Sequence, residues 1–239
     1  MCGRFGQTKK LIENNKESFL NQPEIIIENY NVSPGNLAYI ISTDFQWKMA
    51  TFGFTPHWEK QQKYYLNARC EGRNNMDNDS NFKDVYGIFE MPSFRESIRS
   101  NRCLIPVDYF IEGPEKEKLS RPYLIQQYNE EPFYLGGIYS DFIDRETGEI
   151  IPTFAIVTSS ANSLLAKIGH HRSPLLINTS DIKIWLDKNS SRDKISDLFK
   201  PFNSQHFSAY RISDKIKAPN RNNSNNSISL REKIDDPIN

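Results

Sequence analysis

The sequence has no excess of charge of either sign. Its 239 residues include 30 Lys and Arg side chains and 30 Asp and Glu side chains, so the formal net charge at pH 7 is zero. Proteins that wrap long stretches of nucleic acid without sequence preference need a basic surplus to neutralise phosphates. The charge balance therefore excludes a globally basic nucleic-acid wrapper. With 37% hydrophobic residues, the chain still has enough apolar material for the core of one folded domain.

Long apolar runs are also missing. No apolar run approaches the length of about 20 residues that a helix needs to cross a bilayer. The N-terminal residues MCGRFGQTKK lack the apolar segment of a secretory signal. The sequence therefore predicts a protein without membrane contact that stays in the cytoplasm, associated with the nucleoid if its source is bacterial.

Cysteine is scarce, with only three in the chain. Cys2, Cys70 and Cys103 form no C-x-x-C motif and their number is odd, so the sequence predicts neither a disulfide framework nor a zinc site. We expect no metal and no cofactor. Cys103 lies in an apolar run and behaves there as a small hydrophobic residue, and Cys70 is also interpreted as structural.

Apolar runs typical of strands alternate irregularly with segments of helical spacing. The order of these elements predicts an α+β fold, a single domain built on a largely antiparallel, barrel-like β-sheet with flanking helices. The predicted helices cover residues 8–20, 92–100, 160–168 and 180–186. The predicted strands cover residues 37–42, 47–54, 102–107, 122–127, 132–139 and 153–158.

Polar segments separate or follow these elements. Residues 72–81 (GRNNMDNDSN) and 113–120 are predicted loops, and the second could close a hairpin between a strand that ends near Ile111 and the next one. Residues 220–227 (NRNNSNNS) form a low-complexity stretch with little to bury. We therefore expect a domain over residues 1–218 and a mobile segment over residues 219–239.

Cys2 is the most informative single residue. Initiator methionine is normally removed before a small residue, so the mature chain is expected to begin with a cysteine that carries a free α-amine. The reference pKa of such an amine is about 7.7–8.0 and that of a thiol about 8.5, so both groups are usable nucleophiles near neutral pH. The amine could activate the thiol for peptide hydrolysis. It could instead condense with an aldehyde to an imine, which the thiol then closes to a thiazolidine.

Eight short blocks follow one another along the chain. They are MCGRF (1–5), YNVSP (30–34), GFTPHW (53–58), NARCE (67–71), FRESIRSNRCLIPVDYFIE (94–112), PYLI (122–125), TFAIVTSSAN (153–162) and HHRSP (170–174). In these blocks and in their order, the sequence resembles the SOS-response-associated peptidase (SRAP) family of abasic-site processing proteins, over most of the chain. The family pattern extends weakly to about residue 234.

The resemblance implies that the N-terminal cysteine is joined through a thiazolidine to the ring-opened aldehyde of an abasic site in single-stranded DNA. Matched block by block, Cys2 is the crosslinking residue, Asn67 a positioning amide, Glu112 an acid/base and His170 the histidine that assists ring opening. A carboxyl and an imidazole suit the proton transfers of this condensation. His171 is adjacent, and the choice of His170 depends on its spacing to the Arg and Pro that follow.

The resemblance also implies residues that hold the DNA strand. Arginine pairs bidentately with phosphate, and apolar side chains stack on bases. Two positions depart from the family pattern: Phe52 stands for a tryptophan, and Gly113 stands where an aromatic residue is common. The predicted DNA-binding residues are Arg4, Pro34, Trp58, Arg69, Thr158 and Arg172.

Three functions remain open from the sequence. The first is a lyase-like enzyme that crosslinks itself to abasic sites in single-stranded DNA and acts as a monomer. The second is a thiol-dependent peptidase that removes its own first residue, with Cys2 as nucleophile and His170 as base. The third is a single-strand binding module in which the arginines matter and Cys2 does not.

Overall fold

The structure, a computed structural model, describes residues 2–13, 23–79, 82, 84 and 86–238. The described residues form five short helices, α1 (Lys10–Glu13), α2 (Ser97–Ser100), α3 (Ser163–Ile168), α4 (Ile182–Leu186) and α5 (Arg192–Ser196). Their strands are β1 (Phe5–Gln7), β2 (Asn29–Val32), β3 (Leu37–Ile41), β4 (Trp47–Phe52), β5 (Asn67–Arg69), β6 (Arg102–Val107), β7 (Tyr109–Glu112), β8 (Tyr123–Gln127), β9 (Phe133–Ile143), β10 (Ile150–Ser160), β11 (Arg172–Pro174), β12 (Leu176–Ile177) and β13 (Phe207–Arg211).

Five strands close into a barrel. They follow the order β10, β4, β3, β6 and β9, and pairing of β9 with β10 completes the ring. All neighbours in this ring are antiparallel except β10 and β4, which run parallel. The predicted α+β, largely antiparallel, barrel-like domain is therefore confirmed.

A second sheet covers one side of the molecule. Its strand order is β13, β8, β7, β1, β2, and the pairing of β7 with β8 confirms the predicted hairpin across residues 113–120. Outside the ring, β5 runs parallel to β10 and β11 runs antiparallel to it. Strand β10 therefore has short strands at its C-terminal end that bring distant parts of the chain together.

Aromatic side chains fill the core of the barrel. The ring of Phe52 stacks on Phe154, with centroids 5.2 Å apart, and meets the edge of Phe5 at 5.4 Å. All three residues are fully buried. Because Phe52 occupies this core position, its departure from the family tryptophan changes core packing rather than a surface.

Most of the predicted elements are present with shifted ends. The predicted strands at 102–107 and 37–42 match β6 and β3 closely, whereas β9 and β10 are longer than predicted. Helix α3 begins at residue 163, because the side chain of Asn162 accepts a hydrogen bond from the Leu165 amide and caps the helix there. Of the predicted helix 8–20, residues 14–20 lie outside the described residues, as do residues 80 and 81 of the predicted loop 72–81.

The segment after residue 218 contacts the domain at several points. Asn220 and Leu230 are buried, and Ile238 forms a β-bridge with Ala209. The predicted mobility of this segment stays a prediction. None of the helices in the described ranges has the length and apolar character needed to cross a membrane.

Candidate active site

Cys2 lies in the interior at the end of the second sheet. Its side chain is 1% exposed, and its Sγ is 4.0 Å from the carbonyl oxygen of Arg4. Burial, and after it the charge of Glu112, raises the pKa of the Cys2 thiol well above its usual range. The thiol is therefore held in its protonated form, close to a carboxyl group.

Strand pairing explains why Glu112 is near Cys2. Phe5 of β1 pairs with Phe110 of β7, and the amide of Ile111 donates to the Arg4 carbonyl at 2.9 Å. The antiparallel register carries the end of β7 toward the residues that precede β1. Glu112, the last residue of β7, is thereby placed beside the N-terminal segment.

His170 also contacts Glu112. Its Nε2 is 3.5 Å from a carboxylate oxygen of Glu112, and its Nδ1 is 2.8 Å from the carbonyl oxygen of Gly113. Since a carbonyl only accepts, Nδ1 carries the proton in the neutral ring and Nε2 presents its lone pair to Glu112. Gly169, in the left-handed conformation with φ 83°, ends α3 and turns the chain to place His170 there.

The pKa values of this pair move apart because both groups are buried. Desolvation raises the pKa of Glu112 to about 7 and lowers the pKa of His170 to about 3. Between these values the proton lies on the carboxyl and the imidazole is neutral. Near neutral pH, Glu112 can therefore both donate and accept a proton.

Asn67 connects the pair of strands β5 and β10 to Cys2. Its Nδ2 donates to the carbonyl oxygen of Cys2 at 2.8 Å, and pairing with Ile156 fixes its backbone. Its Oδ1 is buried and has no hydrogen-bond donor among the described residues. The amide can therefore hold Cys2 and still accept one hydrogen bond. All four predicted catalytic residues lie together in the structure.

The predicted phosphate-binding arginines differ in exposure. Arg69 is half-buried, and its Nη1 donates to the Asn75 carbonyl at 3.2 Å. Arg4 is 6% exposed and donates to the carbonyl oxygens of Ile216 and Lys217 at 3.3 and 2.9 Å. In the structure Arg4 therefore binds the protein's own backbone rather than facing outward, and its role as a phosphate ligand stays a prediction.

Arg172 and Thr158 are buried as well, and their predicted contact with DNA also stays a prediction. Both are 1% exposed. The guanidinium of Arg172 donates to both carboxylate oxygens of Glu71 at 2.8 Å, to the Thr158 carbonyl at 2.9 Å and to the Thr158 hydroxyl at 3.2 Å. The Nη1 and Nη2 groups of Arg172 are thus used within the protein, and its Nε is buried without an acceptor among the described residues.

Of the predicted apolar contacts, Pro34 and Trp58 lie on the surface, with Trp58 48% exposed. Phe54, by contrast, is buried in the core. Tyr64 and Tyr65, which are not in the predicted set, follow Trp58 in the chain and are 54% and 37% exposed. In the sequence, these two adjacent aromatic residues lie in a polar stretch, which is a pattern that can indicate exposed aromatic side chains.

Gly113 is required by a close approach of the chain. A Cβ atom at this position would lie 1.8 Å from the carbonyl oxygen of Lys118. The loop from Pro114 to Ser120 therefore occupies the space that an aromatic residue would need, which explains the departure from the family pattern.

His171 lies at the edge of the site. Its side chain is 25% exposed, its Nδ1 is 2.9 Å from a carboxylate oxygen of Glu115, and its ring stacks on His170 with centroids 5.3 Å apart. His170, by contrast, is 5% exposed and contacts Glu112. This geometry favours His170 as the histidine of the site.

Comparison with known proteins gives one consistent result. The profile of the family described as SOS response associated peptidase (SRAP) matches residues 1–219. The chain is 30% identical over 234 residues to the abasic site processing protein YoqW of Bacillus subtilis, with 93% of this chain and 96% of that protein covered. It is 29% identical to the abasic site processing protein YobE of the same organism, with 92% and 97% covered.

Solved structures agree with these matches. A crystal structure of a protein from Bacteroides thetaiotaomicron superposes with a TM-score of 0.78 at 28% identity, covering 97% of this chain and 99% of that one. A protein from Bordetella bronchiseptica has a TM-score of 0.65 at 13% identity, with 89% and 100% covered, which is evidence of a common fold alone.

Proposed function

Because the chain belongs to the SOS response-associated peptidase family, we propose that it processes abasic sites in single-stranded DNA by binding covalently to them through Cys2. The observation that supports this most directly is the cluster of Asn67, Glu112 and His170 around a buried Cys2. Its curated relatives carry the name abasic site processing protein.

The reaction requires a free amine on Cys2, which removal of Met1 supplies. The amine attacks the aldehyde carbon of the opened sugar and gives a carbinolamine, which loses water to form an imine. The thiol then adds to the imine carbon, and its proton ends on the nitrogen. One C–N bond and one C–S bond form, and the aldehyde oxygen leaves as water.

Burial determines the order of the two nucleophiles. The pKa of the Cys2 thiol is raised by desolvation and by the charge of Glu112, so little thiolate exists near neutral pH. An α-amine has a reference pKa of about 7.7–8.0. The amine therefore reacts first, and the thiol adds as a neutral group whose proton moves to the imine nitrogen.

Glu112 and His170 perform the proton transfers. Glu112, with a pKa near 7, donates a proton to the departing hydroxyl of the carbinolamine and takes one from the amine. His170 is neutral over the same pH range and accepts a proton at Nε2 while its Nδ1 stays on the Gly113 carbonyl. This pair assists opening of the sugar ring. Asn67 keeps the Cys2 backbone in place.

The DNA strand is held by a small surface rather than by overall charge. We assign the phosphate contact to Arg69 and the base contacts to Pro34 and Trp58, which are the accessible members of the predicted set. Stacking on aromatic side chains does not depend on base identity. A chain with zero net charge then binds intact DNA weakly and relies on the covalent bond for lasting capture.

An abasic-site oligonucleotide tests the proposal. The mature protein should form a species that survives heating and whose mass is that of protein plus oligonucleotide minus one water. Cys2→Ala should abolish it, and Cys70→Ala, which changes another buried cysteine, should retain it. Absence of the adduct with wild-type protein that lacks Met1 would contradict the proposal.

Peptidase action is a second candidate, favoured by the buried Glu112–His170 pair beside Cys2. Its simplest form is removal of Met1 by the protein itself. Mass spectrometry of Glu112→Ala and His170→Ala decides it. Retention of Met1 in both variants, with complete removal in wild type, supports self-processing, and removal in both contradicts it.

A further inference from the structure

Pro34 lies in a tight turn between β2 and β3, here called the proline turn (residues 33–36). The Asn36 amide donates to the Ser33 carbonyl at 2.9 Å. Proline at the second position and glycine at the third, with φ 87° at Gly35, are typical of a type II turn. The side chain of Asn36 also accepts from the amide and the hydroxyl of Ser33, at 2.9 Å each. Pro34 is therefore exposed at the corner of a turn whose two ends are joined.

Strand pairing directs the proline turn toward the N-terminus. Val32, the last residue of β2, pairs with Phe5, the first residue of β1, in antiparallel orientation. The chain after Val32 therefore continues in the direction of the residues that precede Phe5, and Cys2 is one of these. The Gly35 amide donates to the Phe52 carbonyl at 2.8 Å, which joins the turn to the barrel.

Asn220 contacts both ends of the proline turn and is 1% exposed. Its amide donates to the Ser33 hydroxyl at 3.1 Å, and its carbonyl oxygen accepts from Nδ2 of Asn36 at 2.9 Å. Its side chain is fixed in turn, because Nδ2 donates to Oδ1 of Asn29 at 3.0 Å and Oδ1 accepts from the Asn225 amide at 3.0 Å. The backbone and the side chain of Asn220 are therefore both held by hydrogen bonds.

The residues just before Asn220 contact the N-terminal residues. The carbonyl oxygens of Ile216 and Lys217 accept from the guanidinium of Arg4 at 3.3 and 2.9 Å. Arg4 lies two residues beyond Cys2. One short segment thus connects the neighbourhood of Cys2 with the proline turn, and a shift of this segment would change their relative position.

We propose that Asn220 is a positioning residue that holds the proline turn where Pro34 contacts the base next to the abasic site. This inference rests on the proposed function, and within it on the base contact of Pro34. Asn220 is the first residue beyond the part of the chain that the family profile matches. A turn that is already ordered loses less conformational entropy when DNA binds. Asn220 therefore raises the affinity for single-stranded DNA without touching the strand.

Affinity and rate should respond differently to Asn220→Ala. Binding of intact single-stranded DNA should weaken about 10-fold, because loss of two side-chain hydrogen bonds releases the backbone that holds the proline turn. The rate of adduct formation at saturating abasic DNA should stay within about twofold of wild type, since the four residues around Cys2 keep their contacts. Ser224→Ala, at an exposed position of the same segment, is the matched control and should change neither. Unchanged affinity in Asn220→Ala would overturn the inference.

A strand without bases beside the lesion tests whether the effect passes through a base contact. Two oligonucleotides carry the same stable abasic analogue, and in the second the flanking residues are also base-free sugars. The difference in affinity between wild type and Asn220→Ala should disappear on the second strand, which offers no base to Pro34. On the first strand, Pro34→Ala combined with Asn220→Ala should bind no more weakly than Pro34→Ala alone. A full 10-fold effect on the base-free strand, or additive effects of the two substitutions, would contradict the inference.

Salt dependence separates this effect from loss of a phosphate contact. The slope of log K against log salt should be the same in Asn220→Ala and wild type, because Asn220 neutralises no phosphate. Arg69→Gln should lower the slope by about 0.7. A similar drop in Asn220→Ala would show a lost phosphate contact and would count against positioning of a base contact.

Amide hydrogen exchange in the free protein keeps the inference testable apart from the proposed function. Asn220→Ala should speed exchange at Gly35 and Asn36 more than in β10, where exchange reports global unfolding. An increase at the turn no larger than that in β10 would refute the positioning role. If wild type forms no adduct with abasic DNA, the proposed function fails, while exchange and the affinity for intact DNA still decide on Asn220.

Asn220→Asp provides the comparison if the alanine variant does not fold. It keeps the shape and the Oδ1 acceptor of Asn220 and loses only the donor to Asn29. Its added charge should weaken binding to both oligonucleotides alike, so the difference between the two strands remains the measurement. We expect a smaller difference than in wild type, and an equal difference would overturn the inference.

Discussion

Burial at single residues sets the protonation states of the site. The pKa of Glu112 rises to about 7 and that of His170 falls to about 3, in each case chiefly because the charged form is desolvated. A protonated carboxyl beside a neutral imidazole carries no net charge. The site can therefore stay buried and still transfer protons near neutral pH, at a cost in stability whenever Glu112 ionises.

The free-energy cost of ionising the buried Glu112 predicts that Glu112→Gln is more stable than wild type but crosslinks more slowly. The folded pKa of Glu112 lies above its reference of 4.5, so the folded state binds more protons than the unfolded state, and stability falls as pH rises from about 4.5 through about 7. Glu112→Gln removes this loss. It should be more stable than wild type by up to about 3 kcal/mol at pH 8 and about equal below pH 4.

Crosslinking by Glu112→Gln should be slower by about 100-fold or more, because the amide cannot shuttle protons. Urea unfolding at a series of pH values, together with adduct formation at pH 7, measures both effects. Glu117→Gln, at an exposed loop position, should change neither. A variant less stable than wild type at pH 8 would contradict the assigned effect of burial.

The loop that follows β7 shows how an element constrains the site. Gly113 has no side chain, yet its carbonyl oxygen accepts from Nδ1 of His170 and so fixes the tautomer of the ring. The carbonyl oxygen of Lys118 lies in the space where a Cβ atom of residue 113 would be. The amide of Glu115 also donates to the Gly169 carbonyl at 3.0 Å. The loop and the turn after α3 therefore hold each other through backbone atoms.

Gly113→Ala should separate these two segments. We expect a loss of about 1–3 kcal/mol in unfolding free energy from the forced shift of the Lys118 backbone, and slower adduct formation because the Nδ1 bond of His170 is disturbed. Gly148→Ala is the control for backbone strain alone, since Gly148 has φ 74° but nothing within 4 Å of its Cβ position. It should cost about 1 kcal/mol and leave the rate unchanged. An equal rate in both variants and wild type would refute the role of the loop.

The sequence predicts some helices and strands better than others for physical reasons. Strand β6 (RCLIPV) is buried at every position, and its apolar run CLIPV can be recognised as a strand from the sequence. The three-residue strands β5 and β11 carry no periodic signal and exist through pairing with β10. The four residues proposed to be catalytic could be taken from the family blocks. The burial of Arg172 could not be predicted from them, because it depends on Glu71, 101 residues away in the chain.

The C-terminal segment, residues 219–238, contacts β2 and the residue that follows it. The Asn226 side chain accepts from the Tyr30 amide at 2.7 Å, and the Asn220 amide donates to the Ser33 hydroxyl at 3.1 Å. Both contacts support the strand that leads to Pro34. A hydrogen bond within a protein contributes about 0.5–1.5 kcal/mol net, so these two contacts hold the segment only modestly without an apolar anchor.

Leu230 is that anchor. It is 5% exposed and packs in the cluster of Tyr109 and Tyr210, whereas Ile228, two residues earlier in the same turn, is 64% exposed. Leu230→Ala should lower the unfolding free energy by about 2–5 kcal/mol and speed amide hydrogen exchange in residues 219–238. Exchange at the Tyr30 amide should also rise, because its acceptor lies in the released segment. Ile228→Ala should behave as wild type. Rapid exchange throughout residues 219–238 in wild type itself would instead support the mobility expected from the polar sequence, and β2 would then be held without the segment.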